Sequence, residues 1–421
     1  MYDASPTPND SPQATTPITD LLANGVGLAG VDRVLRTVRK YLGMDVAFIA
    51  HFRERDRVFE FVDAEQPAPL DRGAVLPLEQ GYCAKVARGE LPQLITDAAR
   101  LPAAAAIPET RTIPIGAHLS VPIVLDNGEL YGTLCCFSYE PDLTLGERDM
   151  RMMRAFAEVL ATRISETQAA EKRNLQRAGQ IRNAIAAGAP RIVFQPIIRL
   201  QGGDIAGFEC LSRFDLEPRQ TPDRWFAAAH EVGVGDELEL AAIHNAVASI
   251  GQFSSKGFFG INSSPGLISS GKLQAALPGS DLSRLVLEIT EHAMVDDYGF
   301  LNDALAPLRE RNLRIAIDDA GAGYASMRHI VNLKPDIIKL DMSLTRDIDR
   351  DAGRRALAKA LISFGKDVGS ILCAEGVETR GELEMLRSLG VEKAQGYYLS
   401  KPLSLADAVR AQAGETVGAS A

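Results

Sequence analysis

Residues 191–403 alternate short apolar runs with segments of helical periodicity. The apolar runs predict eight strands: RIVFQPII, IAGFECLSRF, FFGINSS, RLVLEIT, RIAIDDA, DIIKLDM, SILCAEGV and AQGYYLS. Eight strands with interleaved helices predict a parallel, TIM-like (β/α)8 barrel, an α/β fold.

Residues 18–165 show a different order of elements. A helix is predicted around 28–42, followed by the strand-like runs DVAFIAHF (45–52), RVFEFV (57–62), QLIT (93–96), AHLSVPIVL (117–125) and LYGTLCCFS (130–138). Asn127-Gly128, between the last two runs, is a strong hairpin signal. This order predicts an α+β domain around an antiparallel sheet.

Residues 144–187 predict one long helix, or a helix with one break. A heptad seam is formed by Met150, Met153, Ala157, Leu160 and Ile164, then by the polar Thr167, Glu171 and Asn174, and again by Ala178, Ile181 and Ile185. The seam either packs on its own domain or forms a parallel dimer coil. We expect a homodimer.

These patterns predict five segments. They are a disordered tail (1–17), the front domain (18–165), a helical linker (166–187), the barrel domain (188–410) and a flexible tail (411–421).

Composition and net charge narrow the range of possible functions. With 45 Lys and Arg against 55 Asp and Glu, the net charge of −10 disfavours a protein that binds a nucleic-acid polymer, but leaves small anionic substrates open. The five cysteines are scattered and lack CxxC spacing, which fits a reducing compartment. The sequence shows neither a signal peptide nor an apolar run long enough for a membrane span, so we expect a cytoplasmic protein.

Polar side chains occupy the predicted barrel strands at or near the ends of their apolar runs. They are Glu209, Asn262, Glu288, Asp318, Asp319, Lys339, Glu375 and Gln395. Because the carboxyl ends of barrel strands converge on one face, we expect these groups to meet there. So many carboxylates repel each other unless cations neutralise them, and hard oxygen ligands suit Mg²⁺ or Mn²⁺ rather than zinc.

The doubled Asp318-Asp319 suggests two ions, because one carboxylate can bridge them while its neighbour binds the second. Two ions ~3.5–4 Å apart are the arrangement that cleaves phosphodiesters by in-line attack of water. Lys339 should stay protonated among the carboxylates, where it could orient the water or stabilise the negative charge of the transition state.

Further motifs accompany these residues: FQPI (194–197), LSR (211–213), INSSP (261–265), EITE (288–291), DDAGAGYAS (318–326), IIKLD (337–341), AEGVE (374–378) and QGYYLSKP (395–402). With Glu209-Cys210-Leu211, where Cys replaces the usual Ala, they make residues 180–410 resemble the EAL-domain family of cyclic di-GMP phosphodiesterases. That family opens cyclic di-GMP to linear pGpG.

The resemblance implies roles for individual residues. Glu209, Asn262, Glu288 and Asp318 match the ligands of a first metal, and Asp318, Asp319 and Glu375 those of a second. Lys339 matches a lysine at the nucleophilic water, with Glu209 and Glu375 also catalytic. Gln195, Leu211, Arg213 and Gln395 match residues at the substrate, and Glu291 and Glu378 match glutamates that anchor loops. Ca²⁺ should inhibit, because its larger shell fits a Mg²⁺ site poorly.

The front segment resembles the GAF family of small-molecule sensor domains, with a PAS-like sensor as the main rival. The resemblance is carried by DVAFIAHF, by GYCAKVARGELPQLITDA (81–98) and by VPIVLDNGELYGTLCCFS (121–138). The ligand of this domain cannot be read from the sequence. Cys83, Cys135 and Cys136 invite a redox, bilin or metal interpretation, but structural thiols are the default.

The sequence thus favours a metal-dependent phosphodiesterase regulated by its front domain. The alternatives are a cyclic di-GMP receptor without turnover and a scaffold with a vestigial barrel. A diguanylate cyclase is disfavoured because the chain has no GGDEF-like stretch. Ala320 departs from the aromatic residue common at this point of the family's loop, and we expect it to modulate turnover without removing a ligand.

Overall fold

The computed structural model describes residues 28–65, 70–217, 219–277, 282–290, 295, 297–321 and 325–415. The chain divides into two units, Met1–Lys172 and Arg173–Ala421. None of the helices in the described ranges combines the length and apolar character that crossing a bilayer requires.

The front unit is built on one antiparallel sheet. In chain order its elements are α1 (Leu28–Leu42), β1 (Val46–Phe52), β2 (Asp56–Ala64), β3 (Val75–Pro77), a 3₁₀ turn (Leu78–Gln80), α2 (Tyr82–Ala87), β4 (Leu94–Ile95), α3 (Pro102–Ala105), α4 (Pro108–Thr112), β5 (Ala117–Val124), β6 (Leu130–Ser138) and the start of α5 (Glu147–Ala186). The strand order is β3-β2-β1-β6-β5-β4. The predicted α+β domain is confirmed, with β3 as a strand that the sequence did not reveal.

Both faces of this sheet are covered, so its central strands are apolar on both sides. In β6, Cys136 and Leu134 belong to the core cluster that includes residues of α1 and α5, whereas Cys135 and Phe137 belong to the cluster on the other face, with α2. The β5–β6 hairpin turns at Gly128, which has φ +83°, and the Asn127 side chain accepts a hydrogen bond from the Glu129 amide. This is the Asn-Gly turn that the sequence predicts.

Helix α5 is continuous, and its heptad seam packs first on the front unit. Met150, Met153 and Leu160 are fully buried in that unit's core. Near the end of the helix, Ala178 and Ile181 are buried in a small core of the second unit. The first part of the seam therefore packs on its own domain rather than forming a dimer coil. The homodimer stays a prediction.

The second unit is a closed eight-stranded barrel. Its elements are β7 (Arg191–Arg199), β8 (Ile205–Arg213), α6 (Pro222–Glu231), α7 (Gly235–Ile250), β9 (Phe258–Asn262), α8 (Pro265–Ser269), α9 (Lys272–Ala276), β10 (Leu285–Thr290), α10 (Tyr298–Glu310), β11 (Arg314–Ala320), α11 (Ala325–Leu333), β12 (Ile337–Leu340), α12 (Met342–Thr345), α13 (Ala352–Asp367), β13 (Ile371–Ala374), α14 (Arg380–Leu389), β14 (Lys393–Ala394) and α15 (Leu405–Gln412). The predicted TIM-like barrel is confirmed.

The expectation that all eight strands run parallel is wrong for the first of them. β7 pairs antiparallel with β8 on one side and with β14 on the other. The reason is the connection after β7: only residues 200–204 separate it from β8, and Gly203 turns the chain with φ +73°. So short a link makes a hairpin, because a parallel crossover needs a dozen or more residues.

The inward face of the barrel is layered. Side chains alternate along a strand, so residues two apart share a face. Val286, Ala316, Ile337 and Cys373 form an apolar layer with neighbours from other strands. Two residues further along each of these strands come Glu288, Asp318, Lys339 and Glu375. An apolar floor thus lies directly beneath a charged layer.

Candidate active site

Lys339 lies at the centre of the charged layer. Its side chain is 2% exposed, and Nζ lies 2.7 Å from Glu375 Oε1 and 2.8 Å from Glu288 Oε2. Asp318 Oδ1 is at 3.1 Å and Glu209 Oε1 at 3.6 Å. The structure therefore brings together residues from five different strands or strand ends, as the sequence predicts for the mouth of a barrel.

Gln395 joins the layer from the residue after β14. Its Nε2 donates to Glu209 Oε2 at 2.5 Å and to Glu375 Oε1 at 2.9 Å. Its Oε1 is buried and has no hydrogen-bond partner among the described residues. A buried acceptor without a donor is costly, so this oxygen marks a place for a water, an ion-bound group or a substrate donor.

The Asp318-Asp319 pair owes its geometry to the backbone. Consecutive residues of a strand normally point to opposite faces. Here Asp319 has φ +57°, and the β11–β12 register shifts between Ile317 and Ala320. The Asp319 amide donates to Asp318 Oδ1 at 3.0 Å. The left-handed turn breaks the alternation, so both carboxylates reach the same mouth.

Two groups of carboxylates could each hold a cation. Glu209, Glu288 and Asp318 form one, and Asp318, Asp319 and Glu375 form the other, with the ligand oxygens within 4.8 Å of one another in each. Asn262 ends β9 beside Glu288 in the β9–β10 register and lines the adjoining groove. All these donors are hard oxygens, so the residues fit Mg²⁺ or Mn²⁺.

The pKa shifts of the buried groups explain why the cluster would bind cations. Burial raises the pKa of Glu288 to about 8, although Lys339 opposes the shift. Burial also raises the pKa of Glu375 well above its usual range. Burial alone would lower the pKa of Lys339, but the surrounding carboxylates raise it well above its ordinary value. One lysine cannot neutralise five carboxylates, and divalent ions would supply the missing positive charge.

Gly260 on β9 also shapes the site, although it is not among the residues predicted from the sequence. A Cβ at this position would lie 2.0 Å from Glu288 Oε1. Only glycine on β9 leaves room for the Glu288 carboxylate on the neighbouring strand. The signal was present in the sequence, as a glycine inside a strand, which often marks a close approach.

A groove of about 680 Å³ opens beside the cluster. Its lining includes Glu209, Asp318 and Asp319, and also Leu211 and Arg213 from the end of β8. Arg213 is half-buried, and its Nη1 donates to the Ser212 carbonyl oxygen at 2.8 Å, which leaves the remaining guanidinium N–H groups for an anion.

The other predicted site residues are placed differently. Gln195 is buried and lies opposite Glu209 in the β7–β8 register. Glu378 lies outside the cluster, with its Oε1 accepting from Arg346 Nη2 at 3.1 Å and its side chain 46% exposed. Glu291 lies outside the described residues.

The two departures from the family pattern are buried. Cys210 is buried in the main barrel core, and Ala320 is fully buried there too. Neither side chain belongs to the two carboxylate groups. The ligand set is therefore untouched by either replacement.

Family models match both parts of the chain. One for the EAL domain matches residues 178–402, and one for the GAF domain matches residues 29–164. The EAL and GAF resemblances and their order are confirmed.

Curated relatives match the barrel half. A cyclic di-GMP phosphodiesterase of Pseudomonas aeruginosa is 29% identical over 224 residues, which cover 50% of this chain and 38% of that protein. A probable cyclic di-GMP phosphodiesterase of Escherichia coli K12 is 32% identical over 225 residues, which cover 51% of this chain and 41% of that protein. The chain thus spans less than half the length of these relatives.

Solved structures support the fold. An EAL domain protein from Listeria monocytogenes matches 55% of this chain and 95% of its own, at 23% identity and a TM-score of 0.50. An EAL enzyme solved with cAMP and cyclic di-GMP bound matches 88% of this chain and 93% of its own, at 19% identity and a TM-score of 0.52.

Proposed function

Because the chain belongs to the EAL domain family, we propose that it hydrolyses cyclic di-GMP to linear pGpG with the help of two divalent ions. The observation that carries this proposal is the carboxylate cluster around Lys339, which opens into a groove with Arg213 at its wall. The relatives named as cyclic di-GMP phosphodiesterases support the choice of substrate.

The donor set divides between two ions. Glu209, Asn262, Glu288 and Asp318 would hold the first, and Asp318, Asp319 and Glu375 the second. When bound, Mg²⁺ or Mn²⁺ ions would supply Lewis-acid activation of a water and neutralise charge at the phosphodiester.

The protein's own groups position the reactants. Lys339 remains protonated and presents an ammonium group to the attacked phosphate, where negative charge builds up in the transition state. Gln395 fixes Glu209 and Glu375 through its amide N–H groups and leaves Oε1 to accept a hydrogen bond from the water. Together these contacts hold the water for in-line attack on phosphorus, while the 3′ oxygen leaves.

The substrate would lie in the groove. The Arg213 guanidinium would bind a phosphate oxygen, and Leu211 would contact an apolar face of the dinucleotide. Gln195 would support the pocket floor from β7, opposite Glu209. Glu291 and Glu378 would anchor the loops near the mouth.

The test is product analysis with the full chain. Cyclic di-GMP is incubated with the protein and Mg²⁺ or Mn²⁺, and the products are separated by chromatography. We expect pGpG, lost with EDTA and absent with Ca²⁺ alone. Glu209→Ala should abolish turnover, whereas Glu384→Ala, on the surface of α14, should retain it.

The outcomes separate the alternatives. Tight binding of cyclic di-GMP without product would make the protein a receptor and overturn the proposed hydrolysis. Absence of both binding and turnover would leave the barrel a scaffold. Full activity of Glu209→Ala would contradict the assigned site.

We further propose that the front unit regulates the barrel. The GAF match covers residues 29–164, and helix α5 contributes side chains to the cores of both units. A ligand of the front unit should therefore change the hydrolysis rate, with the sign to be measured.

A further inference from the structure

Cys83 and Cys135 lie against each other inside the front unit. Cys83 is on α2 and Cys135 on β6, and both are fully buried. Their Sγ atoms are 3.7 Å apart. Two sulfurs at this distance are in van der Waals contact, and an S–S bond of ~2.05 Å requires side-chain movements that close the remaining gap and set the S–S dihedral angle.

The surroundings of the pair are polar although the cluster around it is apolar. Arg57 Nη1 donates to Cys83 Sγ at 3.3 Å. On the other side, Cys135 Sγ lies 3.1 Å from Ser120 Oγ and 3.2 Å from Thr133 Oγ1. Arg57 also forms an ion pair with Glu109 through Nη2, so its guanidinium links a carboxylate to the thiol pair. Buried structural cysteines normally pack as small apolar groups, and these contacts give the pair a polar environment instead.

The two thiols are chemically unequal. The hydrogen bond from Cys135 and the charge of Arg57 lower the pKa of Cys83, although burial opposes the shift. Burial raises the pKa of Cys135 well above its ordinary value. The thiol with the lowered pKa, Cys83, therefore lies next to the Arg57 guanidinium, and the thiol with the raised pKa, Cys135, lies beside it. A thiolate, rather than a thiol, is the form that oxidants attack.

A small cavity reaches Cys83. Its volume is about 10 Å³, and its lining includes Arg57, Cys83 and His118. That is room for roughly one water-sized molecule. His118 Nδ1 and Arg57 Nε are buried there without hydrogen-bond partners among the described residues. A small polar oxidant would find the Arg57 Nε–H donor and the His118 ring nitrogen at this position, whereas a bulky one would not fit.

We propose that Cys83 and Cys135 are a reversible oxidation site, closed to a disulfide by a small peroxide in the folded front unit. The Cys83 thiolate attacks one peroxide oxygen, the O–O bond breaks, and a sulfenic acid forms. The departing hydroxide takes up a proton, equivalent to the one that Cys83 released on ionising, and leaves as water. The Cys135 sulfur then attacks the Cys83 sulfur, losing its proton as the S–O bond breaks and a second water leaves. Overall, two thiols are oxidised and one hydrogen peroxide is reduced to two waters. This modification lies outside the proposed phosphodiesterase reaction.

The chain supplies a matched control. Cys136 follows Cys135 in β6 and is equally buried, but it points to the opposite face. Its Sγ lies 3.9 Å from Met153 Sδ. Burial raises its pKa well above its ordinary value. If proximity to Cys83 decides which cysteine reacts, Cys135 forms the disulfide and Cys136 does not.

The test uses the reduced full chain. The protein is exposed to hydrogen peroxide, its remaining thiols are alkylated in denaturant, and the unreduced digest is analysed by mass spectrometry. We expect a linked peptide pair that contains Cys83 and Cys135, lacks two hydrogen atoms and separates after dithiothreitol. The pair should persist in Cys136→Ala and fall to background in Cys83→Ala and Cys135→Ala.

The wild-type digest alone keeps the proposal falsifiable if a variant fails to fold. Both thiols remaining alkylatable while methionines become oxidised would overturn it. So would a link that forms only when peroxide is added in denaturant, or one that joins Cys83 to another cysteine. None of these readouts uses cyclic di-GMP, so failure here is distinct from failure of the proposed hydrolysis.

Discussion

Lys339 is the residue on which the stability of the cluster depends when no metal is bound. It is the buried cation among four carboxylates within 3.6 Å. Removing one partner of a buried ion pair typically costs about 3–5 kcal/mol, because the remaining charges lose their compensation. We expect Lys339→Met to lose about that much stability in EDTA, measured by urea unfolding of the barrel. The single tryptophan, Trp225, reports on that unit.

The pH dependence of this loss has a definite sign. Burial already raises the folded pKa of Glu288 to about 8, and removing Lys339 raises it further. A raised carboxyl pKa means that the folded chain holds protons that the unfolded chain releases, so stability falls as pH rises. The deficit of Lys339→Met should therefore grow as pH rises through about 8, where the wild type loses the Glu288 proton and the variant retains it, and it should shrink with Mn²⁺. Lys393→Met, at another buried lysine, should show little of either effect; an equal deficit there would contradict the account.

Gly260 gives the second prediction at the residue scale. A Cβ there meets Glu288 Oε1 at 2.0 Å, so Gly260→Ala should push the Glu288 carboxylate out of the cluster. Changes that misplace a ligand typically weaken metal affinity by about 10–100-fold, and we expect that loss in a calorimetric Mn²⁺ titration. Gly251→Ala, where a Cβ meets open space at the end of α7, is the control. Unchanged Mn²⁺ affinity in Gly260→Ala would show that the site accommodates the methyl group.

Single residues also show what the sequence can and cannot predict. Asp318, Glu375 and Lys339 could be predicted because each follows or ends an apolar strand, and a barrel brings such ends together. Two contacts could not be predicted. Gln395 lies 186 residues from Glu209 and 20 residues from Glu375, both of which it bridges. Cys83 lies 52 residues from Cys135. Such contacts depend on side-chain packing that no local pattern encodes.

At the scale of elements, the sequence predicts which segments form strands better than it predicts their direction. Seven of the eight predicted barrel runs contain all or nearly all of an observed strand, whereas AQGYYLS overlaps β14 only at Ala394. The direction of β7 depends on the tight turn after it. In the front unit, β3 was missed because Val75–Pro77 is only three residues long. Three residues are too few to show strand alternation, and β3 is held by its pairing with β2.

Helix α5 carries the prediction at this scale. Leu160 is buried in the front unit, whereas Leu175, further along the helix, is 75% exposed. Leu160→Ala should destabilise the front unit by about 2–5 kcal/mol, since it empties a packed core, and Leu175→Ala should change stability by less than about 0.5 kcal/mol. Scanning calorimetry of the full chain measures both. Equal losses for the two variants would mean that Leu175 is packed in a core rather than exposed.

At the scale of the whole molecule, the sequence predicts the order of the GAF and EAL domains along the chain, but it does not predict whether the chain forms a dimer. The charged cluster, the barrel and the antiparallel front sheet all follow from local patterns. Association of two chains does not follow from local patterns. The sequence does not distinguish an exposed apolar side chain that faces solvent from one that faces a partner. The location of a dimer interface must therefore be inferred from the exposed apolar residues of the structure.

Phe300 on α10 and Val331 on α11 are each 59% exposed, and these helices are neighbours, since Asn302 Nδ2 donates to the Asn332 carbonyl oxygen at 3.1 Å. Neighbouring exposed apolar side chains are typical of protein interfaces, and we propose that a second copy of the chain covers them. Sedimentation velocity should then give a dimer for the wild type and a shift to monomer for Val331→Asp. Val368→Asp, at an exposed valine after α13, should remain dimeric. A monomeric wild type would refute the homodimer, and a dimeric Val331→Asp would place its interface elsewhere.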